Sequence, residues 1–580
     1  MKKFQELIKN LKKDFTGCKP LKVALLGDSS TQFLAMALRG LGYEDGYNLH
    51  IMEADFNQIE IQIFNKDSDL YKFEPHFIIL FNSTHNLLQR YNRMNPEQYS
   101  TLANVDFARI TELHNHIKDS LTSNIILFNY PELDDKIFGN YANKTENSFL
   151  FQVRKLNYLI MAYAASEPSL FIFDLSSIQN EVGRQMVFSA SLYITSELAL
   201  NLEVLPKVAY SCLQIIRSLD GMAVKCIIFD LDDTIWGGII GDDGIDNIVI
   251  GGLGVGKAFV EFQHWLKKLR DRGIILAVCS KNNEASALEV FENHPDMVLR
   301  VTDISLFLVN WENKVDNIKK IRTALNISYD SIVFLDDNKF ERDFVKGALT
   351  SVIVPDLPLN PEDYLDYLYS LNLFETNIIS DEDTLRTRMY QENEGRLKER
   401  SKFLNENEYL ENLEMVAIEQ RILSFNISRT AQLSQRSNQF NLRTIRYTVD
   451  DLKALNHDAQ YLIRTFSLAD RMGSHGLVSV IILKKAENLT MFIENWFMSC
   501  RVFKRGLEHA ILNSIILYCR TVNIAILKGE FIPTAKNMVV EDLFLSLGFE
   551  LKDKFWEMKI DCFKPLQTAV RIEQFEPKTS

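Results

Sequence analysis

Apolar residues fall along the chain in short continuous runs, separated by longer stretches with apolar positions at helical spacing. In residues 1–220 the runs lie at 22–26 (KVALL), 77–81 (FIILF), 124–128 (NIILF) and 170–173 (LFIF). In residues 221–365 they lie at 224–229, 274–279, 331–335 and 351–354. Continuous apolar strands with helices between them predict parallel sheets covered on both faces. Residues 431–575 read differently. A polar start (NQFNLRTIRYT) leads to strand-like 477–483 and 489–496, helical 506–520, then 523–528 and 549–560. That order predicts a mixed α+β domain. A charged helical pattern at about 380–415 makes residues 366–430 an expected helical connector docked between domains. The expected fold class is therefore α/β and multidomain, with two parallel-sheet units and one mixed α+β unit.

Bulk properties narrow the reading. The 580 residues suit three or four domains, and 46% apolar with 24% charged residues is ordinary for globular domains. The formal charge of −13 lacks the basic footprint of a nucleic-acid binder, so none is expected as partner. The start, MKKFQELIKNLKK, has apolar residues at helical spacing and no unbroken apolar core, which predicts a surface helix rather than a secretory signal. No run approaches the ~20 apolar residues of a membrane span. The seven cysteines are odd in number, scattered and free of CxxC spacing. That argues against a disulfide scaffold or zinc site and for a reducing compartment, the cytoplasm by default.

The chemistry concentrates in the middle segment. An apolar strand, IIF, runs into Asp230-Leu-Asp232-Asp233-Thr234. Residues i and i+2 of a strand share a face, so both carboxylates are expected to converge past its carboxyl end, where open α/β sheets bind ligands. One carboxylate can attack phosphorus and the other can move the proton. Crowded carboxylates call for a hard cation, and Mg²⁺ prefers such oxygen ligands. The partners follow in chain order. Ser280 after 274–279 can hold a phosphoryl oxygen. Lys314 in WENKVDNI can neutralise charge. Asp336 and Asp337 after 331–335 can complete a metal site with Asp230 and Asp232. Asp343 is a second-rank candidate behind them. Nearby, Gly251-Gly-Leu-Gly-Val-Gly256-Lys257-Ala258 nearly matches a phosphate loop, but Ala258 stands where a metal-binding hydroxyl is required. A glycine-rich loop over the site is the expectation there.

This ordered set resembles the haloacid dehalogenase (HAD) superfamily, and the resemblance implies Asp230 as nucleophile and Asp232 as acid/base. The phrases DLDDTIWGGIIGDDG (230–244), ILAVCSKNN (275–283), NWENKVDNI (310–318), FLDDNKFERD (334–343) and SQRSNQFNLRTIRYT (434–448) closely resemble FkbH-like proteins of HAD subfamily IIIC. That resemblance implies loading of a glyceryl unit from 1,3-bisphosphoglycerate onto the phosphopantetheine arm of an acyl carrier protein, with loss of phosphate. It also implies a thiol acyl carrier, for which Cys279, beside Ser280, and Cys500, in WFMSCRVFKRG, are the candidates.

The flanks resemble other families. Gly27-Asp28-Ser29-Ser30 is similar to the nucleophile block of SGNH hydrolases, with Ser29 as nucleophile and Asn82 as oxyanion donor. None of His50, His76, His85, His114 or His116 follows an aspartate by three residues. A degenerate binding or docking fold is expected over an active esterase. Residues 501–506 (RVFKRG) resemble the GNAT acyltransferase pyrophosphate loop, implying Arg501, Arg505 and Gly506 as cofactor-binding, although Lys504 replaces a glycine of that pattern. Asn537 in TAKN is similar to the later acceptor helix. The expected protein is thus an Mg²⁺-dependent HAD-type phosphatase and acyl (glyceryl) transferase. The alternatives are a stand-alone phosphatase acting on another small phosphoester and a non-catalytic scaffold.

Overall fold

A computed structural model describes residues 2–55, 57–376, 396, 403, 405–534 and 536–575. It divides into two compact units, Met1–Arg217 and Ser218–Ser580. The first holds a parallel sheet of β1 (Lys19–Gly27), β2 (Tyr47–Glu53), β3 (Phe77–Phe81), β4 (Asn124–Phe128) and β5 (Leu170–Phe173), in the order β2-β1-β3-β4-β5. The four apolar runs became β1, β3, β4 and β5. Strand β2 escaped the pattern because it lies at the sheet edge and is only partly buried, with Tyr47 and Leu49 inside and His50 and Glu53 exposed. The amphipathic start forms helix Phe4–Asn10. Its Phe4 and Leu7 are buried, and Asn10 Nδ2 donates to Gly40 O at 2.9 Å.

The second unit contains two sheets. A parallel one orders β6 (Cys226–Phe229), β7 (Ile275–Ser280), β8 (Leu306–Val309) and β9 (Ile332–Leu335) as β8-β7-β6-β9. The expected strand at 351–354 makes only an isolated bridge, Val333 to Ile353, and Pro355 ends the run. The unanticipated strand β8 pairs with β7 at the opposite edge of the sheet. Strand alternation sorts side chains onto two cores. Ile227, Phe229, Leu276, Val278, Val333 and Leu335 face helix Gly254–Asp271 through Phe259, Phe262 and Leu266. Cys226, Ile228, Ile275, Ala277, Cys279, Ile332 and Phe334 face helix Lys314–Leu325 through Val315, Ile318 and Ile321.

The other sheet is mixed. It comprises β10 (Val416–Arg421), β11 (Phe440–Asn441), β12 (Tyr461–Asp470), β13 (Gly473–Ala486), β14 (Thr490–Met498), β15 (Ile526–Gly529), β16 (Glu550–Lys552), β17 (Phe555–Lys559) and β18 (Arg571–Gln574). Antiparallel β12, β13 and β14 form its centre, and helix Leu507–Thr521 crosses over to β15, which pairs parallel to β14. The sheet takes β10 from within the expected connector. Most of the helical stretch at 380–415 lies outside the described residues, and within it helix Glu406–Asn412 is seen. No helix among the described residues is long and apolar enough to cross a membrane.

The glycine-rich run at 251–256 is the entry to helix Gly254–Asp271 rather than a free loop. A Cβ on Gly256 would lie 2.9 Å from Gly251 N and 3.1 Å from Ile250 C, so the helix seats on backbone that only glycine admits. Gly256→Ala is expected to destabilise the unit by about 1–3 kcal/mol, read as a lowered melting temperature. An unchanged melt would show that the helix start can shift freely.

Candidate functional site

The strand register assembles the site. Phe229 pairs with Leu335 and with Val278, and Asp230 N donates to Leu335 O at 3.0 Å. The residues that follow, Asp230 and Asp336, therefore leave neighbouring strands side by side. Both continue the parity of Cys226, Ile228, Ile332 and Phe334, which face helix Lys314–Leu325. Asn313 caps that helix by accepting from Asp316 N at 2.9 Å, and this fixes Lys314 as its first residue. Lys314 Nζ, only 3% exposed, donates to Asp230 Oδ2 and Asp336 Oδ2, each at 2.5 Å. A cation is disfavoured at a helix start, and these two carboxylates offset that cost.

Asp230, Asp336 and Asp337 can each present an oxygen within 4.8 Å of one another. Burial, then the charge on Asp230, pushes the Asp336 carboxyl up to about 7 and the Asp337 carboxyl up to about 6. Burial opposes charge on Lys314, but Asp230 and Asp336 outweigh it and raise its pKa. Three crowded oxygen donors, two of them holding their protons more tightly than usual, fit a hard divalent cation. Around them, Thr234 Oγ1 donates to Asp337 Oδ1 at 3.2 Å, and Arg342 donates to the carbonyls of Asp336 at 2.7 Å and Asp337 at 2.5 Å.

Asp232 stands outside the cation group, which corrects the expectation of a fourth metal carboxylate. The strand ends at Phe229 and Asp233 turns at φ 52°, so the i, i+2 rule no longer governs its direction. Its Oδ1 accepts from Trp236 Nε1 (2.9 Å) and Ile240 N (3.1 Å), and Oδ2 accepts from Asn282 Nδ2 (2.7 Å). Burial raises its pKa against these bonds. A carboxyl so held, beside but apart from Asp230, suits proton transfer. Sequence reasoning missed Trp236, Asn282 and Arg342, although all three lie inside the phrases that drew attention to the site. Asp343 points elsewhere and pairs with Lys339 at 2.6 Å on the surface.

Ser280 ends β7 beside this cluster and is 2% exposed. Cys279 faces the opposite way from Ser280, into the core beneath helix Lys314–Leu325. It is fully buried, and burial pushes its thiol pKa up. Cys500 is half-buried and lies towards the other end of the sheet. It lines a cavity with Lys225, Ile275 and Ser328, which stand at or just before the starts of β6, β7 and β9. The length of β7 alone, roughly 16 Å, separates the two ends.

The other expected residues are spent internally. Arg505 Nη1 reaches the buried Asp470 Oδ2 (3.4 Å) and His475 Nε2 (3.1 Å), and Arg501 Nε donates to Ser499 Oγ (3.2 Å). Gly506 holds φ 75°, where a Cβ would meet Thr568 Oγ1 at 3.1 Å. Asn537 is fully buried. It donates to the carbonyls of Asn441 and Ile532 and accepts from Thr534, so it ties down a loop. Beyond Ile493, where its pairing with β15 stops, β14 is covered at Phe497 and Met498 by β11. In the first unit, Ser29 Oγ is buried with no hydrogen-bond partner among the described residues. The Asp28 carboxyl, pushed up to about 6 by burial, accepts from Ser83 N at 2.8 Å, and Asn82 Oδ1 accepts from Arg109 at 2.9 Å.

Comparison with known proteins bears on this geometry. The FkbH N-terminal domain family model matches residues 22–217. A crystal structure of the N-terminal part of protein BF1531 from Bacteroides fragilis, described as containing a phosphatase domain complexed with Mg, is 47% identical. The match covers 65% of this chain and 100% of that one, with a TM-score of 0.63. The chain belongs to the FkbH-like family. Its middle domain is a HAD-type phosphatase domain. Two solved acetyltransferases share a fainter likeness with the FkbH-like protein. The Escherichia coli ribosomal-protein-S18-alanine N-acetyltransferase is 17% identical over 25% of this chain and 94% of that one, with a TM-score of 0.20. A GNAT-family protein from Staphylococcus aureus is 14% identical over 25% and 99%, with a TM-score of 0.21. No curated protein matches the chain.

Replacing Lys314 by Met strands the carboxylates of Asp230, Asp336 and Asp337. In metal-free protein the expected loss is about 3–5 kcal/mol. The raised carboxyl pKa values mean the folded state holds protons that the unfolded state releases. Because Lys314 lowers both carboxyls, its loss raises them further, so the penalty grows as pH rises through 7 and beyond and shrinks as pH falls towards 5. Thermal melts in chelator at pH 5 and pH 8 check this, and a deficit that is larger at pH 5 contradicts it.

Proposed function

We propose that the FkbH-like protein is an Mg²⁺-dependent phosphoryl-transfer enzyme that acts on a phosphorylated three-carbon unit, 1,3-bisphosphoglycerate. It passes the glyceryl group to the phosphopantetheine arm of an acyl carrier protein. The observation that carries the phosphoryl step is the pair of differently placed carboxylates. Asp230 is bound to the buried Lys314, and Asp232 sits apart in its own three-donor cradle. Asp230 Oδ attacks phosphorus, and the bond to the leaving oxygen breaks as Asp232 supplies its proton. Asp232, now a carboxylate, takes a proton from water, whose oxygen attacks the aspartyl-phosphate. Inorganic phosphate leaves and Asp230 is restored. Asp230, Asp336 and Asp337 are the residues that would hold Mg²⁺, which supplies charge neutralisation for the phosphoryl oxygens. Lys314 and Ser280 orient and neutralise that group.

In the acyl step a cysteine thiolate attacks the C1 acyl-phosphate carbonyl and the C1 phosphate departs; the C3 phosphoester is the one cleaved at Asp230, and the glyceryl thioester then exchanges onto the carrier thiol. The buried Cys279 stands close to the phosphoryl site and needs local opening to react. Cys500 is more open but remote. A stand-alone phosphatase is the second reading, favoured by the internal commitments of Arg505 and Asn537.

Two experiments test this. Asp230→Asn is expected to cut Mg²⁺-dependent phosphate release from 1,3-bisphosphoglycerate by roughly 10⁴-fold, and full retention refutes the nucleophile assignment. Intact-protein and peptide mass spectrometry after donor incubation, with a panel of carrier proteins, should show a glyceryl thioester on Cys279 or Cys500. Phosphate release with no adduct and no loaded carrier leaves the plain phosphatase.

A further inference from the structure

Two lysines stand at the phosphoryl site, and their charges are spent differently. Lys314 is buried and pairs with Asp230 and Asp336, so it serves the protein's own carboxylates. Lys281 comes directly after Ser280, and its side chain is 36% exposed. Its Nζ donates to Glu341 Oε1 at 2.5 Å. Glu341 is buried, and its Oε2 has no hydrogen-bond partner among the described residues. An ammonium carries three donors, and this anchor uses one. The backbone around Lys281 is fixed from both sides. Asn310 N donates to Ser280 O at 3.1 Å. Asn282 Nδ2 donates to Asp232 Oδ2 at 2.7 Å, and Asn283 caps helix Glu284–Asn293 by accepting from Ala285 N (3.0 Å) and Ser286 N (3.2 Å). Two other cations of the neighbouring helix Lys339–Ala348 face elsewhere. Arg342 donates to the carbonyls of Asp336 and Asp337, and Lys339 pairs with Asp343.

We propose that Lys281 is a specificity-determining residue. It binds a second anionic group, carboxylate or phosphate, at the end of the substrate remote from the reacting phosphoryl group, and Glu341 positions it. This rests on the phosphoryl-transfer reading of Asp230. Three consecutive residues then serve one ligand. Ser280 meets the reacting phosphoryl group, Lys281 meets the far anion, and Asn282 holds the proton carrier Asp232. A lysine whose backbone and first partner are already fixed loses little freedom when the ligand arrives. An exposed ion pair by itself contributes little. A ligand anion that accepts from the remaining ammonium donors and excludes water gains a charge-assisted hydrogen bond. The substrate class is therefore a short phosphoester with an anion at each end. A phosphoester with a neutral far end leaves the Lys281 ammonium facing water and gains nothing from it.

The matched probes are 3-phosphoglycerate and glycerol 3-phosphate, which differ at the far end in a carboxylate against a hydroxymethyl group. Phosphate release from each is measured with the full chain and Mg²⁺. Binding of each is measured by isothermal titration of Asp230→Asn with Mg²⁺, which needs no turnover. The protein is expected to prefer 3-phosphoglycerate in both assays, with the kinetic difference in KM. Lys281→Met is expected to lower kcat/KM for 3-phosphoglycerate roughly 10- to 100-fold through KM, the loss of one hydrogen bond to a charged group. Glycerol 3-phosphate should suffer much less, so the ratio of the two approaches one. Lys281→Arg should keep most of the preference, and Glu341→Gln should fall between. Equal use and binding of the two probes by the unsubstituted lysine, no binding of 3-phosphoglycerate, or a preference that survives in Lys281→Met overturns the inference. Preferential binding without phosphate release from either probe removes the phosphoryl-transfer reading and leaves the role of Lys281 standing. Release from both without preference does the reverse.

Discussion

One buried ammonium group organises the catalytic half of the phosphatase domain. Lys314 is nearly inaccessible, yet it stands at a helix start, where the backbone dipole already favours negative charge. Its charge persists because Asp230 and Asp336 meet it from two adjacent strand ends. Those carboxylates in turn tolerate burial because of it. The lysine, the helix that presents it and the two strands are thus mutually dependent, and the acidic group with room for a divalent cation grows around that pairing.

The separation of Asp230 from Asp232 follows from where the strand stops. While the chain remains extended, side chains alternate between the two cores, and Asp230 inherits the face of Ile228. Two residues later the backbone has turned, and Asp232 reaches the indole of Trp236 and the amide of Asn282. Two like charges two positions apart thereby acquire different partners, as the proposed roles of nucleophile and proton carrier require.

Much of this was legible in the sequence. Continuous apolar runs flanked by helical patterns located nearly every buried strand of both parallel sheets, because burial on both faces leaves a strong signal. The strands that escaped, β2 and β8, are edge strands with partial burial, and their patterns dilute accordingly. The run at 351–354 was equally apolar, yet the following proline confined it to a bridge. In the site, the order of acidic residues, serine and lysine was readable, as was the placement of Asp230, Lys314 and Asp336 at element ends. The Asp232 cradle was not, because periodicity carries no information once the chain leaves the strand. Short polar motifs in the mixed sheet misled for a related reason. Asn537 and Arg505 look like ligand residues by type, and only tertiary contacts reveal that Asn537 ties down a loop and that Arg505 Nη1 meets Asp470 and His475.

The four-residue strands β6 and β9 act as spacers of fixed parity between the hydrophobic layers and the chemistry at their tips. Losing or gaining a single residue in either would rotate its terminal aspartate by half a turn, away from the ammonium and into the aromatic layer around Phe229 and Trp236. Length changes by two would preserve direction but alter reach. Both segments are therefore gauges whose residue count is as constrained as their composition.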